Sequence, residues 1–322
     1  MNRREFLLLS GLGAIGLGRF TSGCSSRSLP VTILNVPDLA KDVHLDFARI
    51  LMEDNLAIRG KRILLKPNYV EYHPNRPITT DIRLIRQVAE ACLHLDAKEV
   101  IIAEAAGHRR DLWHLIQNPD LKESSQPKIR CIDLNHGTAV RMRNKGPYTG
   151  LPCFYISEPV AHADVVISLP KMKTHHWVGV TLSMKNLFGT LPGIFYGWPK
   201  NLLHLRGIEN SIVDLALTLP VHYAIVDGVI GMEGDGPIMG EAKPVGSVVM
   251  GKNLLAVDCT AARIMGFDPS KIPYLATAGA HFPGLNERNI FYRGEHPKRF
   301  ATKFNCLPQF ARAQGASTNN LF

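Results

Sequence analysis

Asp164-Val-Val-Ile-Ser-Leu169, followed by Pro170-Lys-Met-Lys-Thr-His-His-Trp-Val-Gly-Val-Thr-Leu-Ser-Met-Lys-Asn-Leu-Phe-Gly-Thr-Leu-Pro-Gly193, is the stretch from which the fold is read. Its first part is a short apolar run closed by a proline, the pattern of a strand buried between two layers. Its second part gathers Lys171, Lys173 and Lys185, the pair His175-His176, several hydroxyls, Asn186 and glycines. Few of those residue types favour a core. Open α/β sheets place their ligands where loops leave the carboxyl ends of buried strands. Residues 170–193 are therefore read as such a loop, and as a site for an anion or a metal.

Working outward, further strands are expected at Val31–Asn35, Arg62–Leu65, Glu99–Ala103, Ile129–Asp133, Tyr223–Asp227 and Gly246–Met250. Helices are expected at Asp42–Asn55, Asp81–Leu95, Gly207–Leu219 and Leu254–Met265. This alternation implies an α/β protein with a mostly parallel sheet and helices on both faces, built as one large domain or two intimate lobes. Ile82, Ile85, Val88, Ala89 and Cys92 mark one buried helix face, which Thr79, Thr80 or Asp81 can cap. Weaker periodicity from Lys298 onward reads as a C-terminal arm over 298–322, leaving 25–297 as the α/β domain.

The chain opens with Arg3-Arg4, then Phe6-Leu7 and a Gly-rich apolar run to Gly18. That run is too short for a stable membrane span. With its arginine pair it reads as a twin-arginine-type export signal over residues 1–24. Thr21-Ser22-Gly23-Cys24 is similar to a lipoprotein cleavage box, with Thr21 where leucine is usual. The expected location is the periplasm or cell envelope, with membrane attachment only through the signal or a lipid on Cys24.

The formal charge is +9; three arginines and one glutamate lie in residues 1–23, so the remainder carries +7. That balance favours anionic partners. No long basic run or nucleic-acid module is present, so nucleic acid is not an expected partner. Cys92, Cys131, Cys153, Cys259 and Cys306 show no Cys-x-x-Cys spacing, so no iron–sulfur cluster is expected. They read as small buried hydrophobes, with room for one disulfide in an exported protein.

Several expected strands end in polar residues. One runs into Lys66-Pro67-Asn68, and downstream Arg76-Pro-Ile-Thr-Thr-Asp81 places a guanidinium, hydroxyls and a helix start together, which suits an anion. Another runs into Glu104-Ala-Ala-Gly107-His108-Arg-Arg110. His108 is an acid/base candidate near neutral pH, weighed evenly against an idle loop histidine. After Tyr223–Asp227 come Glu233 and Asp235 among glycines up to Pro237, read as a loop whose carboxylates hold a cation or a lysine. It lacks the Walker and dinucleotide fingerprints. Asp258 reads as a structural residue at a helix start.

Several of these pieces occur in a recognisable order. They are Lys66-Pro-Asn68, Thr79-Thr-Asp81, Leu169-Pro-Lys-Met-Lys-Thr174, Met184-Lys-Asn-Leu-Phe-Gly189, Asp227 through Pro237, Ala256-Val-Asp258 and Met265-Gly-Phe-Asp268. From about Lys61 to Ala280 the chain thereby resembles the family known as domain of unknown function 362. Many members look like iron–sulfur proteins through an added ferredoxin segment, whose cysteines are absent here, so that role is not implied.

A more distant resemblance is to the nickel-pincer lactate racemases. Gly107-His108-Arg109 is similar to that family's histidine turn, and His175, Gly179, Lys185 and Pro192-Gly193 to its later motif. Arg76-Pro77 is similar to its substrate-carboxylate arginine. The resemblance implies that His108 and His175 shuttle a proton while Lys185 holds the pincer cofactor. Thr181-Leu-Ser-Met184 and Asn186 depart from the family's pattern around that lysine.

The expectation is an exported enzyme, an isomerase, lyase or redox enzyme, acting on a small anionic, carboxylate-bearing substrate. Lys66, Asn68, Arg76, Lys171, Lys173, Thr181 and Asn186 are the anion-binding candidates. His108, His175 and Lys185 are the catalytic candidates, and Asp227 and Glu233 the carboxylates that fix a cation or a lysine. Whether a metal or an anionic cofactor takes part is left open. The alternative is a non-catalytic envelope protein that binds a metal or anionic cofactor with the same residues.

Overall fold

The structure, a computed structural model, describes residues 28–107, 112, 121, 128–315 and 321–322. The signal segment, Cys24 and His108 lie outside the described residues. The strands are β1 (Leu29–Asn35), β2 (Arg62–Pro67), β3 (Glu99–Glu104), β4 (Ile129–Asp133), β5 (Ala139–Arg143), β6 (Cys153–Ser157), β7 (Val165–Leu169), β8 (Lys171–His175), β9 (Gly179–Thr181), β10 (Tyr223–Glu233), β11 (Glu241–Gly251) and β12 (Ile290–Gly294).

Among the described residues, ten strands form one sheet in the order β12-β1-β11-β10-β7-β2-β3-β4, with β8 joining β10 and β9 joining β8. Neighbours from β10 through β7, β2 and β3 to β4 run parallel, as do β1 and β12. β11 is antiparallel to both β1 and β10. β5 and β6 pair separately.

Alternation along the central strands separates two cores. Ile63, Leu65, Ile167 and Ile225 face one side with helices His44–Glu53 and Ile82–His94. Leu64, Val166, Ala224 and Val226 face the other, with helices Ile208–Thr218 and Leu254–Ile264. Each fully buried Val, Leu or Ile side chain among them contributes about 1.5–3 kcal/mol. The chain is an α/β protein with a mostly parallel sheet and helices on both faces.

Local chemistry sets the helix starts. Asp81 caps Ile82–His94 by accepting from Arg83 N at 2.9 Å, while Thr80 Oγ donates to Leu169 O at 2.6 Å. Asn253 caps Leu254–Ile264 by accepting from Ala256 N at 2.8 Å. Asp258 therefore lies inside that helix and does not start it.

The stretch after Leu169 is not a loop. β8 continues the direction of β7 beside β10, and every residue from Lys171 to His175 is buried. Its lysines tolerate this because their side-chain nitrogens find partners, and because burial, then the Lys185 and Lys171 charges, hold the Lys173 pKa well below the ordinary lysine value. Lys171 pairs with Asp227 at 2.8 Å, and Lys173 donates to Ile78 O at 2.8 Å and Pro237 O at 3.2 Å. Likewise β10 extends to Glu233, past the expected end at Asp227, through a bulge between Gly228 and Ile230. The C-terminal segment docks on Leu254–Ile264: Thr302 N donates to Ile264 O at 2.8 Å and Phe304 is fully buried. All five cysteines among the described residues are free.

Candidate active site

A cavity of about 220 Å³ opens beyond the carboxyl ends of β2, β3 and β8. Asn68, Glu104, His175, Thr181, Lys185 and Asn186 line it. Phe188, Lys200 and His204 complete its apolar and cationic side.

Lys185 sits on the one-turn helix Ser183–Asn186. The Asp258 carboxylate anchors the start of that turn, accepting from Ser183 N at 2.8 Å, Ser183 Oγ at 2.5 Å and Met184 N at 3.0 Å. Burial pushes the Asp258 carboxyl up to about 7, against the pull of those bonds. The Lys185 amine lies 3.9 Å from the centre of the Phe188 ring and makes no hydrogen bond or ion pair among the described residues. Burial, then the neighbouring Lys66 and Lys200 charges, lower its pKa to about 7, with Glu104 opposing.

Glu104 does not pair with Lys185, because Lys66 takes it. Lys66 Nζ is 2.8 Å from Glu104 Oε2 and also donates to Pro67 O at 2.7 Å and Asn186 Oδ1 at 3.4 Å. Glu104 accepts further from Tyr69 N at 2.8 Å and Ala105 N at 2.9 Å. Gly189 covers the pair closely: a Cβ there would lie 1.8 Å from Glu104 Oε1. Lys200, buried, donates to Asn135 Oδ1 at 2.9 Å, and burial lowers its pKa to about 8. With Glu104 neutralised by Lys66 and Lys185 lowered to about 7, Lys200 is the lining cation left for an anion.

His175 accepts from Trp177 N at 3.1 Å through Nδ1, so the proton of the neutral ring sits on Nε2. Burial, followed by the Lys185 charge, holds its pKa well below the ordinary histidine value. His175 therefore offers a hydrogen-bond donor. Two buried oxygens at the cavity, Asn68 Oδ1 and Thr181 Oγ1, have no partner. Asn186 Nδ2 is committed to Lys66 O at 2.9 Å and Ser168 Oγ at 3.1 Å.

The structure brings Asn68, His175, Thr181, Lys185 and Asn186 together around the cavity, with Lys66 bonded to Asn186 just behind the lining; it does not bring the other described candidates to the lining. Lys66, Lys171 and Lys173 spend their ammonium groups on internal partners and do not line the cavity. Asp227 holds Lys171 and accepts from Asp81 N at 2.8 Å, knitting β8 and β10 to a helix start. Glu233 accepts from Asn305 N at 2.9 Å and pairs with Lys243 at 3.2 Å. Arg76 lies outside the lining, its Nη1 3.2 Å from Met239 Sδ. Phe188, Lys200 and His204 are not among the site residues expected from the sequence, since their roles depend on which short helix faces the cavity. Glu104, read only as a strand-end carboxylate, is joined to Lys66 through the parallel register of β2 and β3.

Among the described residues, the one group of three metal-ligating side chains close enough to share an ion is Asp42, His44 and Glu90, which do not line the cavity. The described lining residues hold no group of three metal ligands.

The model of a domain of unknown function, DUF362, matches residues 63–263. The chain belongs to this family. Its β3, β7 and β8, all of β2 but Arg62, and the turn that carries Lys185 fall inside the matched span. A curated relative, a thylakoid-associated protein of Synechocystis sp., is 28% identical over 266 residues, covering 79% of this chain and 78% of that protein. Among solved structures, the lactate racemase apoprotein of Thermoanaerobacterium thermosaccharolyticum is similar with a TM-score of 0.42 and 12% identity over 79% of this chain. The match spans 57% of the racemase chain. A Thermotoga maritima protein has a TM-score of 0.35 and 7% identity over 63% of this chain and 52% of its own. No helix of the described residues is long and apolar enough to cross a membrane.

Proposed function

We propose that this DUF362 protein is an enzyme that moves a proton on a small carboxylate-bearing substrate, an isomerase- or lyase-type reaction. The observation that carries the reading is the Lys185 amine: it faces the cavity without a hydrogen bond or ion pair among the described residues, over the Phe188 ring. A lysine held as free amine near neutral pH is a general base toward a 2-hydroxy acid, or a nucleophile toward the carbonyl of a 2-oxo acid. His175, kept neutral with its proton on Nε2, polarises the acceptor oxygen as a donor. Lys200 supplies positive charge for the carboxylate. Asn68 Oδ1 and Thr181 Oγ1 supply polar contacts that the protein itself leaves unmet. A protein that only stored an anion would gain from a charged lysine and has no use for a deprotonated one. If the chain is exported to the cell envelope, as its arginine-paired N-terminus is read, the substrate is met there.

The test is turnover and proton exchange at carbon with a panel of short 2-hydroxy and 2-oxo acids in deuterated water. Lys185→Met is expected to lower the rate roughly 10²–10⁴-fold, the range for loss of a general base. Full turnover by both Lys185→Met and His175→Ala on an identified substrate overturns the reading.

A further inference from the structure

Resting on the reading of Lys185 as a free amine in an acid-binding cavity, we propose that Lys185 Nζ condenses with the carbonyl carbon of a small 2-oxo carboxylate to form an imine. The site has the parts for this. The amine is unpaired among the described residues, and the one described carboxylate of the lining, Glu104, is already occupied by Lys66. Asp258 fixes the turn that carries the amine from behind, through three bonds to Ser183 and Met184. Phe188 covers one side of the amine at 3.9 Å and shields the adduct from water. Thr181 Oγ1 and Asn68 Oδ1, both buried and without a partner, lie in the same lining: the hydroxyl can donate to the carboxylate, and the amide oxygen can accept from the departing hydroxyl.

The step balances without an oxidant. The Nζ lone pair forms the C–N bond, the carbonyl π electrons move to oxygen, and the resulting alkoxide takes a proton from the Lys200 ammonium. The proton that nitrogen gives up passes to that hydroxyl, the C–O bond breaks as the nitrogen lone pair forms C=N, and water leaves; Lys200 regains its proton from solvent. A protonated imine remains, which withdraws electrons from the adjacent carbon and makes its C–H or C–C bond easier to break. A pKa of about 7 leaves the amine about a thousandfold more available at neutral pH than an ordinary lysine.

The experiment incubates the full chain with pyruvate or glyoxylate and cyanoborohydride, then maps adducts by intact-mass and peptide mass spectrometry. The expected result is one adduct, of the acid less one oxygen atom, on Lys185. It should be absent in Lys185→Arg, which keeps the charge but cannot form the imine. Labelling at Lys185 should exceed that at exposed lysines by at least about tenfold. Equilibrium dialysis of the same acids, and of lactate, is run in parallel. Binding without trapping at Lys185 overturns the imine and leaves the carboxylate reading standing; absence of both binding and trapping overturns both. Labelling spread evenly over exposed lysines also overturns the imine.

Discussion

Lys66 Nζ and Glu104 Oε2 meet at 2.8 Å across the ends of two neighbouring parallel strands, with both side chains buried. This pairing decides the state of the site, because it removes the carboxylate that would otherwise hold Lys185 as an ammonium. Lys66→Met is therefore expected to raise the Lys185 pKa above about 7, by deleting a nearby cation and freeing Glu104 at once. NMR titration of ¹³C-methylated lysines, assigned with Lys185→Arg, reads the shift. A downward shift contradicts the arrangement.

The same substitution is expected to destabilise the fold by about 3–5 kcal/mol, since it leaves a buried carboxylate unpaired. Lys66→Met with Glu104→Gln should recover much of that loss in urea denaturation. If the single and double variants are equally unstable, the pair is not what Lys66 contributes.

Stability and pH are linked at Lys185 with a definite sign. Its folded pKa, about 7, lies below the unfolded value, so the unfolded chain binds more protons between the two. The penalty of burying the amine is full below pH 7 and disappears as pH rises toward 10. Lys185→Met should thus be more stable than wild type below pH 7, with the gap narrowing at higher pH. A gap that does not change with pH excludes the depressed value.

Asp258 has the opposite linkage. Its carboxyl is raised to about 7, so the folded state holds a proton that the unfolded state loses above the ordinary carboxylate range. Its stabilising contribution falls as pH climbs from about 4 to 7, and Asp258→Asn should flatten that part of the profile. Asp258→Ala leaves the donors of Ser183 and Met184 unmet and should cost about 1–3 kcal/mol as well as Lys185 placement. Loss of imine trapping in a variant that still folds, as judged by circular dichroism, marks the placement role.

Gly189→Ala is expected to be severe although its backbone is not in the left-handed region. The added methyl would overlap Glu104 Oε1 and lie 2.6 Å from Lys66 Nζ. Thermal unfolding should show a loss comparable to breaking the pair. A neutral outcome means that the turn shifts freely.

What the sequence determined by itself was the scaffold. Continuous apolar runs and 3.6-residue periodicity place β1 to β4, β7 and the four long helices within a few residues of their observed bounds, because burial on one or two faces imposes those patterns directly, while β10 and β11 run on for several residues past theirs. It also marked Asn68, His175, Thr181, Lys185 and Asn186, which do converge on one cavity. Only the tertiary structure decided which lysines are spent and which is free. Lys66, Lys171, Lys173 and Lys185 look alike in the sequence. Three of them end on buried partners supplied by strands and loops distant along the chain: Glu104, Asp227, and the carbonyls of Ile78 and Pro237. The fourth has none among the described residues, and a charge's chemistry depends on what lies within a few ångströms of it, which residue order does not record.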